Sequence, residues 1–257
     1  MIRDDILSLF RVPPGKAVRV RDHDPGWAQT EEMEELGKEA IKERARQILD
    51  QNLAGLAEAQ ELLYADDRYA LLIVLQAMDA AGKDGTIKHV MSGVNPQGCQ
   101  VFSFKKPSAE ELDHDFLWRY TRCLPERGRI GIFNRSYYED VLVTRVHPEL
   151  LTGQRLPGRV DGKKFWRRRY QDINAFERHL VRSGTVVLKC DGRRENVARA
   201  GGRRSARKRS AHGLAHGLGT TMGVSLTPSR SHRREVYGCT PTWRTGPRSA
   251  AASSSTA

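Results

Sequence analysis

The sequence lacks long hydrophobic runs and has few cysteines. Its longest apolar run, Ala70 to Leu75, is far shorter than the roughly 20 residues that a helix needs to cross a bilayer. The N-terminus also lacks the succession of basic, apolar and small residues that marks a signal peptide. The four cysteines form no CxxC pair, so neither a disulfide framework nor a cysteine metal site is indicated. We therefore expect a soluble protein of the reducing cytoplasm, without a membrane segment.

Positive charge is abundant but unevenly distributed. The formal net charge is +12 for 257 residues. Residues 190–257 contain 13 Lys and Arg residues against 3 acidic residues, which places +10 in this segment and leaves +2 for residues 1–189. A strongly basic segment indicates a polyanionic partner. Because the first 189 residues are nearly neutral, bulk charge says little about the function of that part.

The sequence divides into three segments that differ in the spacing of their apolar residues. Residues 1–66 predict an extended arm and then a helical segment from about Glu31 to Tyr64, either one long helix or a hairpin broken near Gly55. Residues 67–189 predict an α/β core with a parallel sheet covered on both faces, because strand-length apolar runs alternate with helical patterns. The predicted strands are Tyr69–Gln76, Gln100–Phe104, Arg129–Phe133 and Thr185–Lys189. The predicted helices are Thr86–Ser92, Ala109–Cys123 with Ser108 as its cap, Ser136–Val146 and Lys163–Arg182.

The final segment, residues 190–257, departs from this pattern. Gly, Ser, Arg, Ala, His and Thr dominate it and no apolar period continues, so we expect disorder and a fold that is incomplete at its C-terminus. Such a composition is typical of an alternate reading frame of GC-rich coding DNA. We therefore hypothesise a frameshift after about Lys189, with a genuine basic tail as the alternative.

Residues 79–86, with the sequence Asp-Ala-Ala-Gly-Lys-Asp-Gly-Thr, form a candidate phosphate-binding loop between a buried strand and a helix. Small residues let backbone amides approach phosphate oxygens, and Lys83 can reach a terminal phosphoryl group. Asp79 and the Thr86 hydroxyl are candidate Mg²⁺ ligands. The loop departs from the G-x-x-x-x-G-K-[ST] pattern at Ala77 and Asp84. The alternative is a plain strand-to-helix turn that Asp79 caps.

A second polar cluster follows the third predicted strand. In residues 129–140, Arg135 lies at the start of a predicted helix and can bind a phosphate, while Glu139 lies one turn further on and can help to hold Mg²⁺. Ligands bind at the carboxyl ends of strands in open α/β sheets. The alternative is an Arg135–Glu139 ion pair that caps the helix.

These two motifs, together with Gly-Val-Asn-Pro-Gln-Gly at residues 93–98, closely resemble the polyphosphate kinase 2 family over roughly Trp27 to Lys189. Phe-Asn-Arg-Ser-Tyr-Tyr-Glu at 133–139 looks most like the branch that phosphorylates AMP and ADP. The resemblance implies a three-layer P-loop kinase-like fold and a homo-oligomer. It also implies Mg²⁺-dependent transfer of a phosphoryl group between inorganic polyphosphate and AMP, ADP or ATP.

By position in the family's motifs, the resemblance assigns roles to individual residues. The implied catalytic residues are Asp79, Lys83, Arg135 and Glu139, of which Asp79 and Glu139 are the metal ligands. The implied phosphate- or nucleotide-binding residues are Ala81, Gly82, Asp84, Gly85, Thr86 and Asn134. Because an aspartate is usual elsewhere at the position of Asn134, metal binding depends on Asp79 and Glu139.

A polyphosphate chain requires a row of cations. Our main candidates are Lys105, Lys106, Arg119, Arg167 and Arg178, with Arg122, Lys163, Lys164, Arg168 and Arg169 as further members. A solvated basic surface is the alternative for each. The helix that carries several of them has an apolar stripe formed by Trp166, Tyr170, Ile173, Phe176 and Leu180.

The resemblance also implies a basic lid helix after the fourth strand, which is not recognisable in residues 190–257. We therefore expect weak or no phosphotransfer from this polypeptide. Two alternatives remain open. One is an ATP-dependent nucleotide kinase, and the other is a non-catalytic protein whose tail binds polyanions without reading a specific nucleic acid.

Overall fold

A computed structural model describes residues 8–12, 37–77, 82–158, 160, 162–194 and 220–226. Its helices are α1 (Lys38–Asp66), α2 (Lys83–Val90), α3 (Ala109–Asp113), α4 (Trp118–Thr121), α5 (Glu139–Val146) and α6 (Gly162–Arg182). Its strands are β1 (Ala70–Ala77), β2 (Cys99–Ser103), β3 (Ile130–Asn134), β4 (Thr185–Arg194) and β5 (Thr220–Leu226). Short 3-10 helices span Pro96–Gly98 and Pro148–Gln154.

The strands form one sheet in the order β2-β3-β1-β4-β5. β1 to β4 are parallel, because each strand returns to the sheet through a helical connection. β5 pairs with β4 in the antiparallel direction. The prediction of an α/β fold with a parallel sheet is confirmed.

Helices cover both faces of the sheet, which makes three layers. On one face, side chains of β1, β3 and β4 pack against α4, α5 and α6. On the other face, Leu75, Ile130 and Ile132 pack against Leu63 of α1 and Ile87 of α2. Alternate residues of a strand point to opposite faces, so β1 contributes to both cores. Its central position explains why its sequence is almost continuously apolar.

The helix predicted over Ala109–Cys123 is interrupted and forms α3 and α4. Ser108 caps α3 through a capping box with Glu111, as expected from its position. His114 is extended (ψ 171°) and ends α3. The Asp115 carboxylate then accepts a hydrogen bond from the Leu117 amide at 2.9 Å, a local turn that competes with helix.

α1 runs without a break past Gly55, so the single-helix alternative is the correct one for residues 38–66. None of the helices within the described residues has the length and apolarity to cross a bilayer. Of the extended arm predicted over residues 1–30, the structure describes residues 8–12, and residues 8–10 are helical rather than extended. Residues 1–7 and 13–30 lie outside the described residues.

At the other end of the chain, β4 extends to Arg194, five residues past the predicted end of the strand. Residues 220–226 form β5 within the segment for which the sequence predicts disorder. The ranges 195–219 and 227–257 lie outside the described residues.

Two glycines in regular elements should respond oppositely to alanine. A Cβ at Gly55 in α1 would have no atom within 4 Å, so Gly55→Ala should raise the free energy of unfolding by about 0.5–1 kcal/mol. A Cβ at Gly131 in β3 would lie 2.9 Å from Cδ of the rigid Pro125 ring. Gly131→Ala should therefore lower the free energy of unfolding by about 1–3 kcal/mol. Urea unfolding of both variants checks this, and shifts of the same sign would contradict it.

Candidate active site

The two polar motifs meet at the carboxyl end of the sheet. β1 and β3 are neighbouring parallel strands, and Leu75 of β1 is paired with Asn134 of β3. The candidate phosphate loop continues from β1, and residues 135–139 continue from β3. Parallel strands that end together place the residues that follow them side by side.

The start of α2 forms a turn suited to an anion. Gly82 precedes the helix with φ of +79°, a left-handed conformation that favours glycine. The Thr86 amide donates to the Gly82 carbonyl at 3.0 Å, and the Thr86 hydroxyl donates to the same oxygen at 3.2 Å. The amides before Thr86 have no intrahelical acceptor, so they can bind a phosphate at the positive end of the helix dipole.

Lys83 is nearly enclosed beside this turn, with 5% of its surface exposed. Its Nζ donates a hydrogen bond to the carbonyl oxygen of Ala77, the last residue of β1, at 2.7 Å. The ammonium therefore lies between the end of β1 and the beginning of α2, and its contact with a phosphoryl group stays a prediction. Asp79 and Ala81 lie outside the described residues, so their roles remain predictions.

Asn134 connects three elements at this edge of the sheet. Its Nδ2 donates to Oδ1 of Asp84 in α2 at 2.7 Å and to Oγ of Ser103 in β2 at 3.3 Å. Its Oδ1 is buried and has no hydrogen-bond partner among the described residues. An unsatisfied buried oxygen is costly, so this atom is a candidate ligand atom.

Arg135 adopts a left-handed conformation, with φ of +64°. Its amide donates to the Leu75 carbonyl at 3.0 Å, which extends the β1–β3 pairing by one residue. Left-handed conformations are uncommon for residues with a Cβ and are held in place by their surroundings, often at functional sites. The strained backbone turns the chain sharply at the end of β3.

α5 begins at Glu139, three residues later than predicted. Residues 136–138 form a turn instead, because the Ser136 hydroxyl oxygen accepts a hydrogen bond from the Tyr138 amide at 3.3 Å. Glu139 is in the first turn of α5, and its Oε1 accepts a hydrogen bond from Nε2 of Gln76 at 2.6 Å. The structure therefore joins this carboxylate to β1 rather than to Arg135.

Gln76 is a site residue that the sequence analysis missed. Its Nε2 binds Glu139, while its Oε1 accepts a hydrogen bond from the buried Ser136 hydroxyl at 3.2 Å. Gln76 thus holds both ends of the 136–139 turn against β1, the strand that precedes the candidate phosphate loop. The available signal was a polar amide at the end of an otherwise apolar strand.

The oxygen atoms at this edge suit a small divalent cation. Among the described residues there is no cluster of three His, Cys, Asp or Glu side chains that would enclose a metal. The amide oxygen of Asn134 and the carboxylates of Asp84 and Glu139 are nevertheless hard donors of the kind that Mg²⁺ takes, and Mg²⁺ usually draws its other ligands from phosphate and water. The donor set fits Mg²⁺ bound together with a phosphate.

The predicted polyphosphate cations differ in exposure. Lys105, Lys106, Arg167 and Arg178 are exposed. Arg119 is largely enclosed: its guanidinium lies over the rings of Phe104 and Tyr120, donates to the Lys105 carbonyl at 3.0 Å and approaches Oε1 of Glu111 at 3.3 Å.

The structure corrects the prediction that Arg169 belongs to the row of cations along which polyphosphate lies. Only 4% of its surface is exposed, and its guanidinium lies 4.1 Å from the centre of the Phe116 ring. Glu177, on the same face of α6, is 1% exposed and was not predicted. Both charges lie in the apolar stripe, where Ile173 and Leu180 are buried as expected.

The fold and the site define a P-loop kinase-like α/β protein, with a candidate phosphate-binding turn after the central strand. The sequence model of the polyphosphate kinase 2 (PPK2) family matches residues 39–191, more than half of the chain. The chain therefore belongs to the polyphosphate kinase 2 family.

Named relatives agree with this assignment. The chain is 59% identical over 149 residues to the ADP-polyphosphate phosphotransferase of Rhodopseudomonas palustris, which covers 58% of this chain and 52% of that protein. It is 44% identical over 183 residues to the AMP/ADP-polyphosphate phosphotransferase of Meiothermus ruber, covering 71% and 62% respectively. The chain thus spans less than two thirds of either relative.

A solved structure of the same family has a similar fold. The crystal structure of polyphosphate kinase 2 from Arthrobacter aurescens TC1 is similar with a TM-score of 0.57 and 36% sequence identity, and the match covers 70% of this chain and 58% of that one. The P-loop kinase-like architecture predicted from the sequence is therefore confirmed.

Asp140 should make stability depend on pH. Burial raises the pKa of its carboxyl group from 3.8 to about 6, because Arg169 approaches only to 3.7 Å and offsets the lost hydration incompletely. The folded state therefore binds this proton more tightly than the unfolded chain does. The resulting stabilisation is complete below about pH 4 and is lost as the pH rises through about 6.

The Asp140→Asn variant lacks this titration. Relative to that variant, the wild-type protein should lose about 2–3 kcal/mol of unfolding free energy between pH 4 and pH 7. Urea unfolding of both proteins across this range measures the difference. Parallel pH profiles would show that Asp140 titrates normally.

Proposed function

We propose that this chain is a Mg²⁺-dependent phosphotransferase that moves a phosphoryl group between inorganic polyphosphate and AMP or ADP. One observation carries the proposal: Lys83 and the start of α2 lie at the sheet edge that also carries Arg135 and Glu139. Further support comes from the family membership and from relatives named for phosphotransfer between polyphosphate and ADP or AMP.

Phosphoryl transfer depends mainly on alignment and charge neutralisation. The amides at the start of α2 and the Lys83 ammonium bind the oxygens of the transferred group, and Arg135 binds a neighbouring phosphate. Glu139, Asn134, Asp84 and Asp79 would hold Mg²⁺, which when bound neutralises phosphate charge. No nucleophilic side chain is needed.

The remaining roles follow from the same proposal. Lys105, Lys106, Arg167 and Arg178 provide exposed cations along which a polyphosphate chain can lie, with Arg119 beside them. The protein acts in the cytoplasm as a homo-oligomer. The nucleotide partners are AMP, ADP and ATP.

We also propose that residues after about Lys189 result from a frameshift. Support comes from the family match, which ends at residue 191, next to the point where the composition changes. Sequencing the locus across codon 189 tests this: a slip of one or two bases should restore an apolar, family-like frame. An intact frame downstream would instead establish a genuine basic tail.

Lys83 should be required for any phosphotransfer. With ADP, polyphosphate and Mg²⁺, we expect the purified chain to form ATP at less than about 1 s⁻¹, because the lid is not recognisable. Lys83→Met should abolish this activity, whereas Lys88→Met, an exposed lysine of the same helix, should retain it. A luminescence assay of ATP formation measures all three proteins.

The same assay separates the alternatives. Measurable ATP formation by Lys83→Met at the rate of Lys88→Met would remove Lys83 from the mechanism, and turnover well above 1 s⁻¹ would contradict the expected impairment. With AMP as acceptor, faster transfer from ATP than from polyphosphate would favour a nucleotide kinase. Salt-sensitive polyphosphate binding that disappears with residues 190–257, without turnover, would favour the polyanion-binding protein.

A further inference from the structure

The face of α6 that packs on the sheet carries two charged residues. Arg169, Ile173, Glu177 and Leu180 are all buried there, at spacings of four, four and three residues. A buried charge is costly unless it is paired and hydrogen-bonded. Two such charges on one helix face therefore need specific partners, and the partners of both lie in or beside residues 133–140.

Glu177 is the more enclosed of the two and makes the more extensive contacts. Its Oε1 accepts hydrogen bonds from the hydroxyl groups of Tyr137 at 2.9 Å and Tyr138 at 2.8 Å. Its Oε2 accepts one from Nζ of Lys189 in β4 at 2.7 Å. Lys189 also donates to the Tyr138 hydroxyl at 3.2 Å. One carboxylate thus joins α6, β4 and the turn that precedes α5.

The two tyrosines are two of the three residues between Arg135 and Glu139, and the third is Ser136. They attach this turn to α6 on one side, while Gln76 attaches Ser136 and Glu139 to β1 on the other side. The next residue, Asp140, is also held from the α6 side, through Gln154 and Arg169. Residues 136–140 are therefore held from both sides, and the Glu139 carboxylate is held against Gln76 near the end of β1.

We propose that Glu177 is a positioning residue, which orients Arg135 and Glu139 for binding of a magnesium–phosphate group through the hydroxyls of Tyr137 and Tyr138. The inference rests on the proposed function and deepens it, because Glu177 itself lies under the turn and does not touch substrate.

The chemistry of the cluster supports a fixed arrangement. Both tyrosine hydroxyls donate to the same oxygen of Glu177, which fixes the orientation of both rings. Lys189 supplies the positive charge that a buried carboxylate requires. The network has a donor for each carboxylate oxygen, which favours one geometry of the turn.

The test compares three variants of the full chain with the wild type. Glu177→Gln removes the charge, and a double variant with Tyr137→Phe and Tyr138→Phe removes the hydroxyls but keeps the rings and the Glu177–Lys189 pair. Asp172→Asn is the matched control, since it removes a carboxylate from an exposed position of the same helix. Each protein is titrated calorimetrically with tripolyphosphate in the presence of Mg²⁺.

Hydrogen–deuterium exchange of the free proteins provides a local readout. In the Glu177→Gln and double variants, residues 135–142 should exchange faster, while residues 83–90 and the midpoint of thermal unfolding should change little. Affinity for tripolyphosphate should fall about tenfold in both, because binding must then also order the turn that carries Arg135 and Glu139. The control should match the wild type.

The outcomes separate the inference from the proposed function. If the wild type binds tripolyphosphate and both test variants bind it equally well, Glu177 has no positioning role. The inference also fails if affinity falls only together with faster exchange throughout the chain, since that pattern indicates a general structural role. If the wild type does not bind magnesium tripolyphosphate, the proposed function is overturned and the inference falls with it.

Discussion

Backbone hydrogen bonds between β1 and β3 bring together side chains that are 50 residues apart in the chain, such as Asp84 and Asn134. The parallel register pairs Leu75 with Asn134, and the Arg135 amide continues the pairing to the Leu75 carbonyl. A shift of one residue would turn the alternating side chains to the opposite faces of the sheet and would separate these contacts. The site therefore depends on the apolar alternation that fixes this register.

Elements with a strong apolar pattern could be predicted from the sequence. The predicted bounds of β1 and β3 differ from the observed ones by one residue, because continuous apolar runs have few other ways to be buried. The helix after β1 was predicted over Thr86–Ser92, but it begins three residues earlier, at Lys83, and ends at Val90. β4 extends past its apolar part, through Asp191 to Arg194, where the residue pattern alone gave no reason to continue it.

Polar contacts within the fold were harder to predict. The break at Asp115 depends on one side-chain hydrogen bond to the Leu117 amide, which a helical period does not reveal. Hydrophobic patterns place charged residues on the surface, so Arg169 and Glu177 were missed, although they share a face with Ile173. Their burial becomes understandable only when tertiary partners such as Tyr138 are known. The same applies to Gln76, whose two partners lie about 60 residues further along the chain.

The two described carboxylates of the site are held by neutral amides. Gln76 donates to Glu139 at 2.6 Å, and Asn134 donates to Asp84 at 2.7 Å. A neutral donor orients a carboxylate without cancelling its charge, whereas a lysine or arginine at the same distance would neutralise it.

Oriented negative charge beside the Asn134 amide oxygen is suited to a divalent cation. Lys83 and the start of α2 lie next to it and favour anions. A Mg²⁺–phosphate complex can bind the oxygen donors through its cation and the positive groups through its anion. A phosphate or a Mg²⁺ ion alone can bind only one of these two sets.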